Sequence, residues 1–174
     1  MAVMTCSIRP HMRNRLYALV ALACVSGGPA HAESIQAPAS DAYLHGRAAV
    51  IDGDTLEIAG NSIRLADIDA PPLDYACADP KGATVPCGQR AALFLKELVG
   101  LAAITCIPEG RDSYTREVAR CSVKGVDIGA AMVRAGWALA RYGKTYQAEQ
   151  EDARSMGAGL WGFQGPLRFG TGGQ

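Results

Sequence analysis

With 174 residues, the chain has room for one domain with a single sizeable core once any leader is set aside. Its 17 Lys and Arg match 17 Asp and Glu, and three of the arginines lie in the first 32 residues, leaving the rest at a net −3. That balance excludes a protein that coats nucleic acid through an all-over basic surface; any polyanion contact must come from a local patch.

In chain order, Arg9, His11, Arg13 and Arg15 precede a short apolar run, Leu16–Val25, and "AHA" closes the segment at Ala32. A charged start, a short apolar core and a small-residue end predict a signal peptide over residues 1–32, and hence a secreted or periplasmic protein. Cys24 in "ALAC" raises a lipoprotein alternative, but its leucine sits one place too close to the cysteine. No later apolar stretch is long enough to cross a membrane. Residues 33–45 are expected to form a loose arm, 46–166 the folded domain, and 167–174 a flexible Gly-rich tail.

Within the domain, "RAAVI", "TLEIA" and "SIRLADI" are β-type runs separated by Asp-Gly and Gly-Asn turns. A helix is expected over Gln89–Val99 with Ala92, Leu95 and Leu98 or Val99 on one face. "AAITCIP" and "EVARCSV" make a strand pair around "EGRDSYTR", a helix covers Asp127–Ala135, "WALARY" resumes a strand, and "YQAEQEDARSMGAG" is a polar helix before an apolar "LWGF" cap. Five or so short strands with helical attachments describe a small closed barrel, because closure removes exposed edges.

Cys77, Cys87, Cys106 and Cys121 remain after the leader, an even number that reads as two disulfides in an exported chain. Three connectivities exist. The preferred one pairs Cys77 with Cys87 around the loop "ADPKGATVP" and Cys106 with Cys121 across a hairpin. A four-cysteine zinc site is the alternative, disfavoured by long spacings with no C-x-x-C pair.

Chemistry concentrates in "IDGDT" and "RLADIDAPP". Asp54 and Asp69, from or beside turns between different strands, are hard oxygen donors that suit a calcium-sized cation, although "DGD" alone also suits a hairpin turn. Asp52 is expected to orient that turn or a bound water. Arg64 and Arg116 are either exposed strand cations or a pair of guanidinium forks for one phosphate.

"VIDGDTLEI", "IRLADIDAPP", "CGQRA", "DSYTREVARC", "DIGAAMVRAGWALARY" and "GLWGF" together resemble the staphylococcal-nuclease, or thermonuclease, family over Gly46–Phe163. The resemblance implies a mainly β (α+β) fold, an OB-fold five-stranded barrel with about three helices. It also implies calcium-dependent hydrolysis of phosphodiester bonds in DNA or RNA. By position, Asp54 and Asp69 correspond to carboxylate ligands of calcium and Ala70 to a carbonyl ligand. Arg64 and Arg116 correspond to the catalytic arginines, and Tyr114 lies by the substrate phosphate; packing explains a tyrosine there equally well, and Tyr142 and Tyr146 are weaker candidates.

The chain departs from the family at Pro72, where a glutamate usually serves as general base. Turnover without it is expected to be slower, a positioned base contributing roughly 10²–10⁴-fold. Asp67, sharing strand parity with Asp69, and Asp74, on the following loop, are the substitutes in reach. The lack of a basic stripe favours short or single-stranded substrates, and a monomer is expected. The competing expectations are a non-catalytic OB-fold module binding nucleic acid or a phosphate ligand, and an accessory protein of envelope or polysaccharide metabolism.

Overall fold

The computed structural model describes residues 43–164 together with Leu167 and Phe169. The expected signal peptide, most of the arm and the last five residues lie outside the described residues. Three strands, β1 (Leu44–Val50), β2 (Thr55–Ile58) and β3 (Asn61–Leu65), form an antiparallel meander. The short β4 (Ile68–Asp69) follows, then the small hairpin β5 (Cys77–Ala78) and β6 (Thr84–Val85), and the helix α1 (Cys87–Val99). β7 (Ala103–Arg111) and β8 (Glu117–Val123) make the long hairpin. β9 (Val126–Asp127), α2 (Ile128–Arg134), β10 (Leu139–Ala140) and α3 (Gln147–Ser155) complete the order, with a 3-10 turn at Gly159–Gly162.

β1 pairs with both β2 and β7, β7 pairs with β8, and β8 returns to β3 in parallel through Ile63↔Glu117 and Leu65↔Ala119. That last pairing closes five strands into the OB-fold barrel with three helices, as the resemblance implied. Alternation along the strands sends Leu56, Ile63 and Ile104 inward to meet Leu95 of α1 and Ile128 and Met132 of α2, all fully buried. Each such side chain contributes about 1.5–3 kcal/mol relative to exposure. A smaller cluster of Cys77, Cys87, Leu139, Leu160 and Phe169 lies beside it.

Five details differ from expectation. The strand expected over Ser62–Ile68 breaks at Asp67, whose φ of 60° turns the chain between β3 and β4; aspartate tolerates that left-handed conformation better than most residues. The buried stripe of α1 runs through Ala91, Leu95 and Val99 rather than Ala92, because Ala91 lies at the four-residue spacing that keeps it in line with Leu95 and Val99. "WALARY" shrinks to a two-residue strand, Leu139–Ala140, whose partner β4 is itself only two residues long. At the ends of the domain, β1 takes in Leu44 and His45 from the expected arm by pairing them with Cys106 and Thr105. Phe169, in the expected tail, is buried edge-on against Tyr75.

Both preferred disulfides are present, Cys77–Cys87 closing the loop before α1 and Cys106–Cys121 between directly opposed residues of β7 and β8. Two glycines bring the loops onto α1. A Cβ on Gly53 would lie 2.7 Å from the Ala70 Cβ and 3.0 Å from that of Ala91, so the β1–β2 turn packs directly on β4 and the helix. A Cβ on Gly88 would fall 1.7 Å from the Pro72 carbonyl oxygen, so the segment after β4 rests on the first turn of α1.

Candidate active site

The Gly53 contact sets Asp54 beside the end of β4. Asp52 caps the turn, its Oδ1 accepting the Asp54 amide at 3.0 Å, and the Asp54 side chain points into the protein. Its Oδ2 accepts the Ala70 amide at 2.9 Å, and its Oδ1 accepts Nη1 of Arg64 at 2.8 Å and the Thr55 hydroxyl at 3.2 Å. Arg64, on the neighbouring strand directly across from Thr55, also donates from Nη2 to Asp69 Oδ1 at 3.2 Å. One guanidinium therefore spans two buried carboxylates.

The fourth charged group enters from the β7–β8 hairpin. Asp112 organises the turn, accepting the Tyr114 and Arg116 amides on Oδ1 and the Arg116 Nε on Oδ2 at 2.8 Å. This anchoring aims Arg116 Nη1 at the Thr55 hydroxyl, 3.5 Å away. A cavity of about 140 Å³ is consequently lined by Asp52, Asp54, Arg64, Asp69, Ala70, Pro72 and Arg116. Two strands, a turn and a hairpin thus deliver the two arginines and the two aspartates to one place.

Burial governs the charges. It pushes the Asp54 carboxyl up to about 6 even though Arg64 and the Ala70 amide pull it down. It raises Asp69 as well, against Arg64 and Arg141. Burial works against the Arg64 guanidinium, but Asp54 and Asp69 outweigh it and raise its pKa. Among the described residues the buried Asp69 Oδ2 has no hydrogen-bond partner, with Arg141 Nε 3.8 Å away. Two desolvated carboxylates held above their ordinary range, one with an orphaned oxygen, are underneutralised acceptors for a cation. The donors are all hard oxygens, which suits calcium. Among the described residues no three acidic, His or Cys side chains gather tightly enough to hold a metal alone, so a cation here would need oxygens beyond the Asp54 and Asp69 carboxylates. On those terms the residues fit the ion.

Tyr114 is 62 % exposed, with its ring centroid 5.6 Å from the Arg116 Cζ. It faces Tyr142, 61 % exposed, in an adjoining cavity of about 230 Å³ that also reaches Arg64 and Arg116. Tyr146 is not at the surface: it is buried, its hydroxyl donating to Asp127 and accepting from Arg120. Asp67 does not share the direction of Asp69. Its Oδ2 accepts the Thr145 hydroxyl at 2.6 Å and Arg120 Nη2 at 3.2 Å, so the carboxylate is committed to the wall of the adjoining cavity. Asp74 is exposed and does not line the aspartate cavity, whereas Pro72 does. Sequence reasoning passed over Asp112 and Arg120. The first had a signal in "DSYTR", an Asp ahead of a turn; the second, inside an alternating strand, had none.

A closed OB barrel with arginines and buried aspartates converging on one small cavity defines the architecture. Residues 62–162, more than half of the chain, match the family of staphylococcal nuclease homologues, and the chain belongs to that family. It is 38 % identical over 124 residues to the succinoglycan biosynthesis protein ExoI of Rhizobium meliloti (strain 1021), a match covering 68 % of this chain and 65 % of that protein. It is 32 % identical over 127 residues to an uncharacterized endonuclease of Haemophilus influenzae (strain ATCC 51907 / DSM 11121 / KW20 / Rd), covering 68 % and 66 % respectively. The chain therefore spans just under two thirds of the length of these two relatives.

Proposed function

We propose that the protein is an exported, calcium-dependent nuclease that hydrolyses phosphodiester bonds in DNA or RNA, acting as a monomer. The observation that carries this reading is the convergence of Arg64 and Arg116 on the cavity lined by Asp54, Asp69 and Ala70. Family membership and the endonuclease name of one relative support it. Two disulfides suit an oxidising, extracytoplasmic compartment, and no helix among the described residues is long and apolar enough to cross a membrane.

In this scheme Asp54, Asp69 and the Ala70 carbonyl hold the cation. Calcium, when bound, supplies Lewis-acid polarisation of a phosphoryl oxygen. Arg64 and Arg116 donate to the non-bridging oxygens and offset the charge that grows as water adds to phosphorus and the ester oxygen leaves. Asp112 holds Arg116 in place for that task, and Asp54 and Asp69 do the same for Arg64. Tyr114 borders the phosphate. Pro72 presents no proton acceptor at the cavity rim and Asp67 is tied to Arg120, so neither takes the proton of the attacking water and turnover is slow.

The same proline favours a second reading, a barrel that keeps the phosphate-binding groups without turnover. The ExoI relative, named for succinoglycan biosynthesis, also keeps an accessory role in envelope polysaccharide metabolism in view. One assay separates the nuclease from the binding module. Purified protein incubated with a single-stranded oligonucleotide should cleave it with calcium and stop on chelation. Binding without cleavage would select the second reading.

A further inference from the structure

Three cavities meet at Arg116. Two of them carry more acid than base: Asp52, Asp54 and Asp69 against Arg64 and Arg116 in one, and Asp67, Glu109 and Asp112 against the same arginines in the other. The third lies on the opposite side of Tyr114 and Arg116, between the β2–β3 turn and the β7–β8 hairpin. It has a volume of about 660 Å³, and its charged lining is Arg111 and Arg116 against Glu117 alone. It is therefore the positive exit from an otherwise acidic site, in a chain whose remaining charge leans negative. Its size falls within the roughly 300–1,000 Å³ of small-molecule sites, room enough for a nucleotide.

The lining has the chemistry of a strand path. The Arg111 side chain is 69 % exposed, and among the described residues its only ion pair is a loose 3.4 Å contact to Glu117, which a phosphate can displace at small cost. Asn61 and Ser62 present polar edges from the turn opposite. Tyr114, shared by this cavity and the one holding Tyr142, stands exposed between them, where a base can stack without regard to its identity. Arg116 is common to all three cavities, so a phosphate held there has space for a nucleotide on either side.

We infer that the cavity bounded by Asn61, Ser62, Arg111 and Tyr114 is a second nucleotide subsite for a single-stranded substrate, with Arg111 holding the phosphate next to the one cleaved. This rests on the nuclease reading and deepens it. A substrate that fills both sides of the Tyr114–Arg116 ridge is bound more tightly than one that fills a single side, and its internal bonds are cleaved in preference to its ends.

The test compares the wild type with Arg111→Gln and Arg111→Lys on a dinucleotide and on a single-stranded hexanucleotide, with calcium present. Both kcat/KM and affinity by fluorescence anisotropy are read over a salt series. Arg111→Gln should lower the hexamer kcat/KM about tenfold, the scale of one charged hydrogen bond, and leave the dinucleotide unchanged. The slope of log affinity against log salt for the hexamer should fall by about 0.7, one phosphate contact on a single strand, and Arg111→Lys should restore most of it. Equal losses on both substrates, or none, would overturn the subsite and leave the nuclease reading intact. Hexamer binding weakened by Arg111→Gln in a wild type that does not cleave would support the subsite and defeat the nuclease reading. Neither cleavage nor hexamer binding would overturn both.

Discussion

At the scale of single residues, Pro72 is the position that most directly limits the chemistry. It lines the cavity with the two arginines and three aspartates, yet its side chain accepts no proton. Pro72→Glu should raise turnover on the order of 10²-fold or more, and Pro72→Gln should not, with the gain lost as the new carboxylate protonates. Rates for both variants across pH 4–9 check this; an equal effect of Glu and Gln would assign the change to the loop, since proline also fixes φ there. Asp112 gives a second residue-level expectation. Burial pushes its carboxyl up, but hydrogen bonds from the Arg116 side chain and amide outweigh burial and hold it below the usual carboxylate range. A depressed folded-state pKa means stabilisation that is present above the ordinary carboxylate value of about 3.9 and lost as pH falls through the folded value. Acidification from pH 5 to 3 should therefore lower the melting temperature of the wild type by more than that of Asp112→Asn. Identical acid profiles would contradict the anchoring role.

At the scale of elements, the β7–β8 hairpin is the part whose integrity the site depends on, because it alone delivers Tyr114 and Arg116. Cys106 and Cys121 are cross-strand partners within it. Reduction of the disulfides should cost about 2–4 kcal/mol per bridge and lower activity in step with the loss of hairpin order. The Cys106→Ala/Cys121→Ala pair, assayed for melting temperature and cleavage, isolates the hairpin bridge; unaltered cleavage would detach the site from it. Elements were legible where they repeat a local rule. β8 falls on "EVARCSV" residue for residue, and the β1–β2 turn on its Asp-Gly signal. The break at Asp67 was not legible, because strand parity assumes continuous extended backbone and one left-handed residue cancels it. That single φ redirects Asp67 from the aspartate cavity to Arg120 and Thr145.

At the scale of the whole molecule, closure of the barrel by β3 and β8 assembles the site. Arg64 and Arg116 are 52 positions apart in sequence and meet only because Ile63 pairs with Glu117. Neither arginine distinguishes itself from a surface cation in isolation; the order and spacing of several motifs carried that part of the reading. Contacts made late in the chain were the least legible, Phe169 on Tyr75 among them, since nothing local marks a tail residue for burial. A global consequence follows from the two raised carboxylates and the orphaned Asp69 oxygen. Calcium binding to the folded state alone should raise the melting temperature, by about 2.7 kcal/mol of added stability at a hundredfold excess over Kd. Asp54→Asn and Asp69→Asn should abolish the calcium-dependent shift in a differential scanning measurement. A melting temperature indifferent to millimolar calcium would remove the ion from the site.

The most direct test is the single-turnover rate of calcium-dependent oligonucleotide cleavage by the wild type, Arg64→Ala and Arg116→Ala. If the two guanidiniums share one phosphate, each truncation should slow cleavage by roughly 10²–10³-fold, the loss expected when a preorganised charge stabiliser is removed. Arg64→Ala should also alter calcium affinity, because it frees Asp54 and Asp69. Cleavage that proceeds at the wild-type rate in either folded variant would contradict the account and place the chemistry elsewhere on the molecule.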